Sequence, residues 1–158
     1  MKTIFLFVAC IFSASVYSQD SLQLKRIDSL VNIINKSGFK TEADTIKQDY
    51  PEIGLSLKTY LTAVTNGNEL KKYINNAHTS TKENGTVKLM TSTNAFYFDN
   101  NTLIKVEESA KEGDKTFEAF WYYSDGKAVH YTLHSDKAEE RAAQLLIMGQ
   151  AILEKFKR

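Results

Sequence analysis

Ser124-Asp125-Gly126-Lys127 constrains the architecture of this chain more than any other short segment. Asp-Gly supplies the two positive backbone angles of a tight hairpin turn, so the runs on either side are antiparallel neighbours. The turn also sets the register. Tyr122 then opposes Val129 and Phe120 opposes Tyr131, with Glu118 and Leu133 farther along that face. The opposite face carries Tyr123 beside Ala128, Trp121 beside His130, Ala119 beside Thr132 and Phe117 beside His134.

Around this hairpin lie short runs rich in aromatic and β-branched residues: Val87 to Thr93, Ala95 to Asp99, Thr102 to Ser109, Phe117 to Ser124 and Lys127 to His134. Asn100-Asn101 serves as a second turn. Tyr97 to Ile104 lines up with Tyr122 to Val129. An antiparallel meander with similar hairpins explains one such match more simply than a repeat architecture.

The flanks read as helical. Leu24, Ile27, Leu30, Val31 and Ile34 recur at helical spacing between Ser21 and Ser37, with Gly38 placed to end the helix in the left-handed region. Thr41 to Lys47 fits a short helix that stops before Tyr50-Pro51. The spacing of Leu57, Leu61 and Val64 suggests another, closed by Asn66-Gly67, and Asn68 would cap a further turn through Leu70, Tyr73 and Ile74. His78 to Gly85 reads as a polar loop. Asp136 with Glu139 forms a capping-box pattern ahead of a broad stripe from Ala138 to Phe156. The expected fold is α+β: N-terminal helices, an antiparallel meander of four to five strands, and a C-terminal helix packed on the sheet.

The start of the chain reads as an export signal, with Lys2, the apolar run Ile4 to Phe12, and Val16-Tyr17-Ser18 as a small-x-small cleavage site. The run is too short for a membrane-spanning helix. Cys10 after Phe7-Val8-Ala9 faintly resembles a lipobox, so a lipid anchor at Cys10 is the alternative to cleavage. Cleavage leaves one domain over residues 19–158 and removes the only cysteine, so a mature chain has neither disulfides nor cysteine ligands for a metal. The compact leader and the lack of disulfides lean bacterial. A formal net charge of +1, with both signs mixed along the chain, disfavours nucleic acid as a partner.

No cofactor, metal or catalytic signature is expected. His130 and His134 on one strand lie about 13 Å apart and cannot share an ion. Glu107-Glu108 and Glu139-Glu140 are neighbours whose side chains diverge. The face bearing Trp121, His130, Phe117, His134 and Tyr123 is the candidate binding surface, since aromatic bodies with polar tips suit interfaces. The competing reading places the N-terminal helices over this face and Trp121 in the core. Three functions follow in order: a non-catalytic exported domain binding a protein or peptide, a binder of a small apolar or glycan ligand in a cleft between helices and sheet, and an exported hydrolase using His130 or His134 as base.

Overall fold

The computed structural model describes residues 21–83 and 85–157. The export signal, Cys10 and the proposed cleavage after Ser18 lie outside the described residues. A helix over residues 21–36 (α1) leads into β1 (Lys40–Tyr50), β2 (Leu55–Asn66), β3 (Glu69–Glu83), β4 (Thr86–Asp99), β5 (Thr102–Glu112), β6 (Lys115–Ser124) and β7 (Lys127–Tyr131). The last element is α2 (Ala138–Phe156). The strands form one antiparallel seven-stranded sheet in sequence order, a pure meander. The α+β class and the C-terminal helix match expectation, whereas among the described residues the sheet has seven strands and a single helix precedes it.

The extra strands are β1, β2 and β3, where helices and a loop were expected. Leu57, Leu61 and Val64 fit helical spacing, but Leu55, Leu57, Thr59, Leu61 and Ala63 also alternate, with Thr, Tyr and Val between them. Pairing on both sides decides for the strand, since β2 is bonded to β1 and β3 along its length. Lys40–Tyr50 carries no apolar pattern because it is an edge strand, exposed at every residue. The polar segment from His78 onward continues β3, with Gly54 N–H closing the small turn before β2 and Lys82 N–H donating to Gly54 O at 2.8 Å.

Both helices lie against the sheet, one on each face. Ile27, Val31 and Ile34 of α1 pack on Ala95, Tyr97 and Tyr122. Ala142, Leu145 and Leu153 of α2 pack on Phe96, Phe98, Leu103, Val106, Trp121 and Tyr123. A Cβ built on Gly149 would come within 2.9 Å of Leu103 Cδ2, so any larger residue there would have to displace the Leu103 side chain where α2 meets β5. Helix ends differ from expectation. Gly38 has no positive φ, and α1 closes instead through Ser37 Oγ donating to Ile33 O at 2.6 Å. The Asp136 capping box does not form: Lys137 is the N-cap, and Ser135 Oγ accepts from Lys137 N.

The hairpin turns are as read. Asn100, Asn101, Asp125 and Gly126 all have positive φ. The register beyond them is not a simple alternation. Tyr123 faces Ala128, but Tyr122 faces His130, which leaves Val129 as an extra residue in β7. The β4–β5 hairpin does the same, with Phe98 facing Leu103, Tyr97 facing Lys105, and Ile104 extra. So does the β2–β3 hairpin, where Thr65 faces Leu70, Val64 faces Lys72, and Lys71 is extra. Each bulge sits at the same distance from its turn and reverses the face assignment of everything past it. Tyr131 thereby moves to the Trp121 face, where Val106 also lies, and His130 to the Tyr122 face, where Lys105 lies.

Candidate functional site

The five residues expected to share a surface are dispersed. Trp121 and Tyr123 are buried under α2, with Tyr123 Oη donating to Ala142 O at 2.9 Å. The covering helix is the C-terminal one, not the N-terminal helices that the competing reading invoked. His130 is exposed on the opposite face, its ring 5.7 Å from that of Tyr122. His134 follows the end of β7, exposed, in an irregular segment. Phe117 stays on the Trp121 face, beyond the reach of α2, and is 41% exposed.

What the bulges do assemble is a row across the sheet on the α1 face: Val64, Lys72, Tyr97, Lys105, Tyr122 and His130, each opposite the next. Cation and ring alternate. Lys72 Nζ sits 4.8 Å from the Tyr97 ring centre, and Lys105 Nζ sits 4.9 Å from that of Tyr122. Asp28 of α1 accepts from Lys105 Nζ at 2.9 Å and Tyr122 Oη at 3.1 Å. Seven residues on, Asn35 accepts from Lys72 Nζ at 2.7 Å and donates to Tyr97 Oη at 3.4 Å. Two helical turns advance about 10 Å and so do two strand spacings, so a helix crossing the strands brings both side chains onto the row.

Glu107 completes the network, accepting from Tyr97 Oη at 2.9 Å and from Lys105 at 3.0 Å. Burial alone would push Lys105 down, but Asp28 and Glu107 outweigh it and hold its pKa above the ordinary value. Tyr97 is pushed up to about 12, first by burial and then by the Glu107 carboxylate, against the opposing donation from Asn35. These groups are spent on docking α1.

Two open regions bear on binding. A cleft of about 310 Å³ lies between the end of α2 and β1 to β3, floored by Leu61, Ala63 and Tyr73, walled by Ile152 and Phe156, and rimmed by Glu42, Asp44 and Lys155. Burial, then the Asp44 charge, raises the Tyr73 hydroxyl pKa. The second region is the part of the sheet that neither helix covers. There Ile46, Thr59, Ala77, Ser92, Ala110 and Phe117 face one another in a row on the α2 side. Ile46 and Phe117 stand 45% and 41% exposed at its ends, around a floor of small side chains. Leu57 and Met90 lie on the same face, one row farther out.

His130 and His134 are on separate elements, and neither is hydrogen-bonded to a hydroxyl among the described residues. No cluster of three or more metal-ligating side chains occurs among the described residues, and no helix among them is long and apolar enough to cross a membrane. No protein-family model, curated protein or solved structure matches the chain.

Sequence reasoning reached Phe117 but missed Ile46, Leu57 and Met90, because it read their segments as helix or gave them no face. The available signal was the alternation in β2. The row under α1 was hidden by one-residue bulges, although Asn66-Gly67-Asn68-Glu69-Leu70 supplies a third hairpin of the same pattern.

Proposed function

We propose that the protein is an exported, non-catalytic binding domain that engages a protein or peptide through the uncovered α2 side of its sheet. One observation carries this reading: Ile46 and Phe117 bracket a trough of Thr59, Ala77, Ser92 and Ala110 on a face otherwise occupied by a packed helix. Small floor residues let a partner's backbone approach closely, and the two large apolar side chains give it anchors. Residues Leu57 and Met90 extend the apolar strip.

The test is capture of partners by the mature chain, compared with Phe117→Ser and Ile46→Ser. Loss of a specific partner in both variants, with thermal unfolding unchanged, supports the trough. Undiminished capture by both variants overturns it.

A small-ligand reading is favoured by the cleft, whose apolar floor and charged rim suit an amphipathic molecule. Its size is at the lower end for such sites. A fluorescent apolar probe displaced by Phe156→Asp but not by Phe117→Ser would move the function there.

A further inference from the structure

The α1 side of the uncovered sheet has a different chemistry from the trough behind it. Lys47 faces Lys58, Lys58 faces His78, His78 faces Thr91, Thr91 faces Lys111, and Lys111 faces Thr116. This row lies six residues along the strands from the one that receives α1, on the same face. Like charges directly opposite one another in a sheet are unfavourable. Among the described residues, no carboxylate lies within ion-pair distance of Lys47, Lys58 or Lys111. Under α1, by contrast, Lys105 meets two carboxylates.

The neighbouring row supplies the rest of a site. Tyr60 takes the Lys58 ammonium at 4.4 Å from its ring centre and the His78 ring edge-on at 5.2 Å. Opposite Tyr60, the buried Oδ1 of Asn76 has no donor among the described residues. Thr93 and Ser109 continue that row to Glu118, and the other nearby acid, Asp49, is engaged by Ser56 Oγ at 2.6 Å. The floor is therefore hydroxyl, amide and ammonium around a single phenol ring, about 19 Å long from β1 to β5 at the usual strand spacing.

We infer that this row binds an acidic glycan, a uronate-bearing strand laid across β1 to β5 alongside α1 and six residues along the strands from the row on which that helix docks. Its carboxylates would meet Lys47, Lys58, His78 and Lys111, the Asn76 amide would turn outward to take a ring hydroxyl, and one sugar face would rest on Tyr60. An acidic peptide fits less well, because the exposed aliphatic side chains of this face, Leu89 and Val87, lie one and two rows outside the cations and not among them. Single-stranded nucleic acid relies on several stacking rings, and this row holds Tyr60 and the edge-turned His78. The site is on the opposite face from the proposed protein-binding trough and does not depend on it.

Affinity electrophoresis of the full chain through polygalacturonate tests this, with fully methyl-esterified polygalacturonate, polyglutamate and oligo-dT as the other arms. Polygalacturonate alone should retard the protein, and the effect should fade as added salt screens the exposed charges. Lys58→Gln with Lys111→Gln should weaken retention at least tenfold. Tyr60→Ala and Asn76→Ala should each weaken it several-fold at unchanged charge, while Phe117→Ser leaves it intact. No retardation of the parent chain, equal retardation by the ester, or equal or stronger binding of polyglutamate or oligo-dT would overturn the inference. So would full retention by both Tyr60→Ala and Asn76→Ala, since that is ion exchange without a site; their thermal unfolding confirms that each variant is folded.

Discussion

The same strands pass through two unlike environments. Near the β2–β3, β4–β5 and β6–β7 turns, both faces of the sheet lie under helices, and Phe96, Tyr97, Phe98, Trp121 and Tyr123 are closed from solvent. Toward the other end, neither helix covers either face, and Val87, Leu89, Met90 and Phe117 are exposed. Charge follows the same division. In the covered part cations find acids, as Lys105 does with Asp28 and Arg141 with the buried Glu108. In the uncovered part Lys47 and Lys58 face each other. One end of the sheet is organised for stability, and the other retains features that cost stability.

The largest expected effect tests the burial contrast. Trp121→Ala should cost about 3–5 kcal/mol in denaturant unfolding, the range for a buried aromatic, while Phe117→Ala should change it little. Equal losses at the two positions would break the distinction.

Alkaline titration comes next. The Tyr97 phenol ionises near 10 when unfolded and at about 12 when folded, so the folded state holds its proton longer. The associated stability is complete below pH 10 and is lost as pH rises through the folded value, about 2–3 kcal/mol in all. Lys105, held above the ordinary lysine value by Asp28 and Glu107, works in the same direction, since its charged form is the one held. Unfolding temperature should fall from pH 10 upward, less steeply in Tyr97→Phe.

Asp28→Ala should be milder, about 1 kcal/mol. It removes a partner from Lys105, but the Asp28 side chain is itself half exposed and screened. The smallest effect has the opposite sign. Lys47→Gln should raise stability by a few tenths of a kcal/mol at low salt, and high salt should abolish the gain.

The covered part was the readable part. Tyr97, Phe98, Trp121 and Tyr123 fall in runs whose apolar content and turns identify strands without help from the rest of the chain. Asp125-Gly126 set the first pairs of its hairpin, and Tyr123 does face Ala128. Two residues from the turn the reading failed, because Val129 is inserted and the alternation reverses. The uncovered part was less readable for a different reason. A strand with solvent on both faces needs no apolar alternation, so Lys40–Tyr50 and the far half of β3 look like helix or loop when taken alone. Their identity comes from the neighbours to which they bond. The candidate surface was misplaced by both causes at once: the bulge moved His130 away, and α2 took Trp121 and Tyr123.

Among the described residues the meander is open at two margins, and β1 is a long one, eleven residues exposed throughout. Unpaired main-chain groups on such a margin would accept a strand from any passing chain. Lys40, Glu42, Asp44, Lys47 and Asp49 place a charge at nearly every second position of that margin. A newcomer would have to match that order of signs or desolvate charges against itself. Polymerisation into fibres is thereby discouraged at the first added strand, and a sheet that is never closed into a barrel can still remain a discrete particle.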